Sequence, residues 1–169
     1  MALRLQLLFS FLMLVASPYF VKADTISVTA PPEAVSFIDG DNLKLFGENM
    51  RLIDIDAAER GQTCNAASGE TWDCANAATE TLKALVRGRT VFCQYSRKDR
   101  YGRPLAKCWV DGVNIAEALV DAGVVWAYRD KGPYVPNAEA AKKKGIGIWQ
   151  ADTQTPWDWR AEKRSASGS

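Results

Sequence analysis

From Ala34 the chain alternates apolar and polar positions in short bursts. "AVSFI" and "NLKLF" flank "DGD", Gly47 ends the second burst, and "NMRLIDI" follows after a short turn. Period-two alternation marks half-buried strands, and tight turns joining three of them predict an antiparallel meander. Small and polar residues between Gly61 and Glu70 predict a loop. In "DCANAATETLKALVRG" the spacing changes: Ala75, Ala78, Leu82, Leu85 and Val86 recur on one face of a helix, with Asp73 as its N-cap and Gly88 as its stop. "TVFCQY" and "PLAKCWV" predict a second hairpin across the polar connection "SRKDRYGR". "NIAEALVDAG" is a short second helix ended by Gly123, and "VVWAY" is an apolar stretch after it. "PNAEAAKKKG" is a third helix, with Pro136 at its start and three lysines in its last turn, where the macrodipole favours cations. "IGIWQ" then packs Ile146, Ile148 and Trp149 onto the core. Five short strands interrupted by three helices predict an α+β fold, a small barrel with helices around one side. An oligonucleotide-binding barrel (OB-fold) fits that pattern among several α+β folds.

The ends of the chain follow a different logic. Residues 1–23 carry Arg4 in a short basic lead, an apolar run from Leu5 to about Val15, and Val21 and Ala23 at positions suited to a signal peptidase. Ser10, Ser17 and Pro18 interrupt the run, which falls short of the roughly 18 to 20 apolar residues of a spanning helix. Cleavage after Ala23 predicts a secreted or periplasmic protein without a membrane anchor. Residues 24–33, "DTISVTAPPE", read as an exposed lead-in, 34–151 as the barrel domain, and 152–169 as a largely disordered tail.

Composition narrows the chemistry. Removing 23 of 169 residues leaves 146, a length that suits one domain, and it removes Arg4 and Lys22, taking the formal charge from +1 to −1. Bulk charge therefore does not recruit nucleic acid, and any phosphate recognition must be local. The four cysteines, Cys64, Cys74, Cys93 and Cys108, have intervening spacings of nine, 18 and 14 residues, none of them a zinc pattern. An even count in an oxidising compartment predicts two disulfides. Cys93 and Cys108 lie one in each strand of the second hairpin and can face each other, which leaves Cys64 with Cys74. The chain has no histidine. That removes every mechanism built on an imidazole base and leaves carboxylates, arginines and a hard, oxygen-loving cation.

Asp39, Asp41, Asp54 and Asp56 crowd into the first meander, although aspartate is depleted in strands. "IDGD" alone is a hairpin signal, and "RLIDIDAAER" alone admits a solvated strand face. Asp41 and Asp56, on neighbouring elements, would supply two carboxylates to a Ca²⁺ or Mg²⁺ site, with Glu59 near a bound water. Arg51 and Arg103 would then hold phosphate through paired hydrogen bonds. In a regular strand Arg51 and Asp56 face opposite sides, so a bulge or a strand end must re-aim one of them. "DRYGR" alone is a basic loop turned at Gly102.

Together, "IDGD", "RLIDIDAAE", "RYGRPLA", "NIAEALVDAG" and "GIGIW" make the chain resemble the staphylococcal nuclease (thermonuclease) family from about Val35 to Trp149. The resemblance implies a five-stranded OB-fold barrel with three helices and Ca²⁺-dependent hydrolysis of DNA and RNA, without regard to sugar, to 3′-phosphate products. By motif position, Asp41, Asp56 and the backbone carbonyl of Ala57 would bind calcium. Glu59 would be general base or orient the water, and Arg51 and Arg103 would bind the scissile phosphate. Asp39 would support the site, and Arg100, Tyr101 and Tyr128 would face substrate. Where the family usually has threonine this chain has Asn42, and where it has Thr-Pro this chain has Ala57 and Ala58, a change expected to loosen the loop carrying Glu59. The cysteines resemble an exported bacterial branch, and the chain is expected to be a monomer. Two other readings remain open: a catalytically weak or inactive OB-fold module that binds nucleic acid or another polyanion, and an accessory protein of envelope or exopolysaccharide biology.

Overall fold

A computed structural model describes residues 24–168. The proposed signal segment, 1–23, lies outside the described residues.

The first strand, β1 (Ile26–Ala30), falls in the expected lead-in. It is mostly exposed, yet it is no loose approach, because it pairs antiparallel with a strand of the second hairpin from Ile26 opposite Tyr95 to Ala30 opposite Val91. The meander follows as β2 (Val35–Asp39), β3 (Asn42–Leu45) and β4 (Glu48–Leu52), all antiparallel. The next apolar burst does not prolong β4. Ile53 and Asp54 form a turn, with Asp54 at φ +68°, and β5 (Ile55–Ala57) starts on a new course. Two short strands, β6 (Cys64–Asn65) and β7 (Thr71–Trp72), pair across the predicted loop. They lead into helix α1 (Cys74–Val86), where the Asp73 carboxylate accepts from the Asn76 amide at 2.9 Å, the cap foreseen from sequence.

The second hairpin is β8 (Val91–Lys98) and β9 (Pro104–Val110), followed by the short β10 (Val113–Asn114) on the edge of β9. Helix α2 (Ile115–Asp121) is capped by Asn114, and β11 (Val125–Ala127) pairs with β5. Helix α3 (Val135–Lys144) ends on the left-handed Gly145, and a last helix, α4 (Pro156–Ser167), closes the described chain. That helix corrects the expectation of a disordered tail over 152–169. Its start is written in sequence: Thr155 accepts from the Asp158 amide, donates to the Asp158 carboxylate at 2.6 Å, and is followed by Pro156 at the first helical position.

The main sheet runs β1-β8-β9-β4-β3-β2, antiparallel except where β4 lies parallel to β9. Its five predicted members, β2, β3, β4, β8 and β9, give the α+β OB-type architecture. Alternation sorts their side chains. Leu43, Leu45, Met50, Leu52, Val91, Ala106 and Val110 point inward and meet Ala78, Leu82 and Val86 of α1 and Ile115, Leu119 and Val120 of α2. Each fully buried Leu or Ile contributes on the order of 1.5–3 kcal/mol, so the core rather than helix propensity holds these short elements. Cys93 stands opposite Cys108 on that inner face and is bonded to it, and Cys64 is bonded to Cys74.

Gly40 serves a purpose other than hairpin chemistry. A Cβ there would lie 2.5 Å from the Ala78 Cβ and 2.9 Å from the Ala57 Cβ. The "DGD" turn is pressed against α1 and β5 so closely that only glycine fits.

Candidate active site

Strand order brings the polar residues of the meander together at one end of the barrel. Asn42 of β3 is opposite Arg51 of β4, and Arg51 is in register with Leu105, two residues beyond Arg103. The turn at Ile53–Asp54 solves the parity problem between Arg51 and Asp56. After the break, β5 pairs with β11, placing Asp56 opposite Trp126 and aiming its carboxylate back at Arg51. Asp54, by contrast, points away from the pair: its carbonyl accepts from the Tyr128 amide at 2.9 Å, and its side chain lies beside Gly132.

Arg51 forks between two carboxylates, 2.8 Å from Asp41 and 2.8 Å from Asp56. Burial alone would lower its pKa, but Asp41 and Asp56 outweigh burial and raise it. Asp41 and Asp56 are 4% and 1% exposed, so this is a charged cluster inside the protein rather than a surface pair. Burial pushes the Asp41 carboxyl up to about 8 against the opposing pull of Arg51, with Asp39 and Asp56 adding repulsion. Asp41 Oδ2 also accepts from the Ala57 amide at 3.0 Å. Asp39 stands behind, accepting from the Asp41 amide at 3.2 Å and from Asn42 at 2.8 Å.

Asn42, the residue in place of the family's threonine, is buried and joins the parts. Its amide donates to Asp39 and Asp41, and its carbonyl oxygen accepts from Arg103 at 3.3 Å. Arg103 is held from the other side by Asp99, through Nε at 2.7 Å and through its own backbone amide at 3.0 Å. Burial raises the Asp99 carboxyl, but donors from Arg103 and the Tyr101 amide outweigh it and hold the carboxyl low. Arg103 therefore keeps a fixed fork beside the acids. Arg100 stacks on the exposed Tyr101 ring, 4.7 Å from its centroid.

Glu59 lies just past β5 on the loop whose rigidity the Ala57–Ala58 pair put in question. Other contacts hold that loop. The buried Gln62 accepts from the Glu59 amide at 3.0 Å and donates to the Gln154 carbonyl at 2.7 Å. The Cys64–Cys74 disulfide ties the loop's far end to α1, and Ala58 is buried in a small cluster with both cysteines, Trp126 and Ile148.

The one major element that sequence reading missed is Arg160. From α4 it reaches Asp56 Oδ2 at 2.6 Å and Asp56 Oδ1 at 3.2 Å, and Glu59 at 2.5 Å. Burial would lower its pKa, but the hydrogen bonds it donates to Asp56 and Glu59 outweigh burial and raise it. Trp157, one turn earlier, meets Tyr128 edge-on at 6.5 Å, and Arg129 lies over the Tyr128 ring.

These groups line one cleft of about 1250 Å³. Eight of the chain's 11 arginines border it, and no lysine does. A chain with almost no net charge has thus gathered most of its planar, permanently charged guanidinium groups on one surface. The cleft holds every residue proposed from sequence except Asp56, which lies just beneath its floor against Arg51 and Arg160.

Among the described residues no three acidic or cysteine side chains converge on one point. The side-chain donors near Arg51 are two carboxylates, and a hard cation there would complete its shell with backbone oxygen and water, a donor set that suits Ca²⁺ or Mg²⁺ and not zinc.

Comparison with known proteins decides the family. The description "Staphylococcal nuclease homologue" matches residues 49–151, more than half of the chain and most of the barrel. The protein belongs to the staphylococcal nuclease family. An "Uncharacterized endonuclease" of Escherichia coli O157:H7 is 33% identical over 138 residues, covering 76% of this chain and 84% of that one. A "Micrococcal nuclease" of Shigella flexneri is 28% identical over 155 residues, covering 80% and 83%. The "Succinoglycan biosynthesis protein ExoI" of Rhizobium meliloti is 33% identical over 123 residues, covering 70% of this chain and 64% of that one. The family match contains Arg51, Asp56, Glu59 and Arg103 and stops before α4. The cleft thus combines a barrel surface shared with the staphylococcal nuclease family and a wall from outside the matched stretch.

Proposed function

We propose that this chain is an exported, Ca²⁺-dependent nuclease that hydrolyses DNA and RNA without regard to sugar and leaves 3′-phosphate ends. The observation that carries the reading is the buried Asp41–Arg51–Asp56 cluster, with Glu59 and Arg103 beside it in a cleft walled by arginines. Relatives named as endonuclease and micrococcal nuclease support it. The two disulfides support an oxidising, extracytoplasmic location, and no described helix is long and apolar enough to cross a membrane.

Each residue has a physical task. Asp41, Asp56 and the Ala57 carbonyl would hold the calcium ion, with Asp39 and Asn42 fixing the turn that presents Asp41. When bound, the ion would offset phosphate charge and acidify water. Glu59 takes a proton from the attacking water, whose oxygen bonds to phosphorus as the bond to the 5′-oxygen breaks and that oxygen takes up a proton from solvent. Arg51 and Arg103 bind the non-bridging oxygens, whose charge grows in the transition state, and a single well-placed donor of this kind is worth on the order of 10²–10³ in rate. Arg100, Tyr101 and Tyr128, at the rim, would hold the strand to either side.

The test is digestion of single-stranded DNA by the mature protein in Ca²⁺, arrested by EDTA and slowed by on the order of 10²–10³ or more in Arg51→Ala and Arg103→Ala. Unchanged substrate across a calcium titration at alkaline pH overturns it. One observation favours a second reading, a nucleic-acid-binding module of weak or no activity: Arg160 occupies Asp56 and Glu59 in the described state. That reading expects retained binding, no new termini, and little effect of Glu59→Gln. An accessory role in exopolysaccharide biology has the name of one relative behind it, and it expects a deletion strain with altered polymer and normal extracellular nuclease.

A further inference from the structure

We propose that α4 is a tethered latch whose Arg160, bound to Asp56 and Glu59, exchanges with the divalent cation for Asp56 and frees Glu59 as it leaves, so that the helix sets how much metal the site requires. The inference rests on the metal reading above and goes beyond it, because α4 lies outside the stretch matched to the family.

The hydrogen bonds show why the two cannot be bound together as the site stands. Asp56 Oδ1 accepts from Arg51 and Arg160, and Oδ2 accepts from Arg160. Asp41 Oδ1 accepts from Arg51 and Asn42, and Oδ2 from the Ala57 amide. Every carboxylate oxygen of the pair already has a protein donor. A hard cation needs several of those oxygens, so a donor must leave.

Of the donors, Arg160 is the one built to go. Arg51 springs from a core strand and is tied to both acids; Asn42 and the Ala57 amide belong to the barrel itself. Arg160 stands on a helix in which only Pro156 is buried. The segment before that helix is fastened: the Gln154 carbonyl accepts from Gln62, and Thr153 and Asp152 accept from Asn65 at 3.1 and 2.6 Å. Beyond the held tether the helix rests on the barrel through half-buried Trp157 and on the tether through Glu162, which accepts from Gln154, so Arg160 can leave about a pivot at Thr155 with only those contacts to give.

Charge gives the exchange its direction. With all three carboxylates ionised, Asp41, Asp56 and Glu59 against Arg51 and Arg160 leave one negative charge, whereas replacing Arg160 by a divalent cation brings the group to neutrality. Without metal, Arg160 offsets the charge of buried Asp56 and of Glu59 at its edge; with metal, it is surplus. Once released, Arg160 remains on the cleft wall near Arg164, available to substrate phosphate.

The experiment is calorimetric titration of Ca²⁺ into the mature, disulfide-intact protein, without substrate, for wild type, Arg160→Gln, Arg160→Lys and the same-helix control Lys163→Gln. Arg160→Gln should bind Ca²⁺ at least roughly fivefold more tightly than wild type, the lower end of common coupling between sites. Arg160→Lys, keeping the charge without the fork, should fall between, and Lys163→Gln should match wild type. Ca²⁺ should also speed tryptic cleavage of the wild type at Arg160, Lys163 and Arg164. Should Arg160→Gln fail to fold, Arg160→Lys against wild type decides. Equal or weaker Ca²⁺ affinity in the Arg160 variants, or α4 cleavage indifferent to Ca²⁺, overturns the exchange while leaving nuclease activity to its own assay. Absence of Ca²⁺ binding in every variant overturns both the exchange and the metal reading.

Discussion

Two guanidinium groups meet Asp56, and they come from opposite kinds of structure. Arg51 arrives from five residues away on a core strand, while Arg160 arrives from 104 residues away on a helix at the margin of the fold. The first is fixed by register with β3 and β9 and by its fork between two buried acids. The second is fixed by the acids, by Trp157, half-buried against the Ala58–Ile148 cluster and edge-on to Tyr128, and by the hydrogen bond that Glu162 accepts from Gln154. The same ion pair is therefore part of the scaffold in one case and a removable stopper in the other.

The comparison breaks most sharply at Arg51. Arg51→Ala strips buried Asp41 of its ionic partner and leaves Asp56 to Arg160 alone, and breaking a buried pair costs about 3–5 kcal/mol. Thermal unfolding without metal should show a large drop, with cleavage falling by on the order of 10²–10³ or more at saturating Ca²⁺. If Arg51→Ala melts as wild type does, the scaffold role assigned to Arg51 is wrong. Gly40→Ala comes next. Its methyl would collide with Ala78 and Ala57, and the turn must shift, taking Asp41 with it. We expect a loss of about 1–3 kcal/mol and a fall in activity out of proportion to that loss, read by unfolding and digestion on the same sample. Wild-type activity in Gly40→Ala would show that the turn presenting Asp41 tolerates displacement.

The disulfide beside Glu59 tests the loop between the two arginines. Cys64 and Cys74 are ten residues apart, and the double substitution Cys64→Ser/Cys74→Ser should cost roughly 2–3 kcal/mol by the chain-entropy estimate. Because Gln62 also holds the loop through Glu59 and Gln154, the double variant should keep a measurable fraction of its activity. Removing Gln62 as well, by Gln62→Ala in that background, should abolish the remainder. Additive small effects would mean that neither contact positions Glu59.

What the sequence discloses follows the same division. The five barrel strands, α1, α2 and α3 were legible because each carries its own period and each helix a glycine at its end, whereas β1, β6 and β7 fell in stretches that read as lead-in and loop; the core alternation of β9 is visible residue by residue. Asp41, Asp56 and Arg51 were legible as an anomaly: aspartates where strands avoid them, beside an arginine. The break at Asp54 was required by parity, but its place was not, since a left-handed aspartate has no stronger signature than a turn. Asn42 looked like a departure from a family pattern, and its role in joining Asp39, Asp41 and Arg103 needs three chain segments at once. Arg160 was hidden by composition. A polar, charged tail with few apolar residues reads as disorder, although Thr155, Pro156 and Asp158 announce a helix, and only long-range charge gives that helix a place to dock.

The smallest expected effect lies at Trp157, and it separates the two arginines most cleanly. Its ring meets Tyr128 edge-on at 6.5 Å, and Tyr128 is tied through its amide to Asp54, the residue at which the β4 strand breaks. Trp157→Ala removes the aromatic contact that steadies α4 while leaving Arg160, Asp56 and Glu59 intact. An aromatic pair of this kind is worth about 0.5–1.5 kcal/mol, so the barrel's main melting transition should move by only a few degrees. Arg51, held from within the barrel, should be indifferent to the change. Hydrogen exchange should show this split, with faster exchange of the α4 amides and unchanged protection in β3, β4 and β9. Equal loosening of both regions would mean that α4 is part of the scaffold after all, and that Arg160 is held as firmly as Arg51.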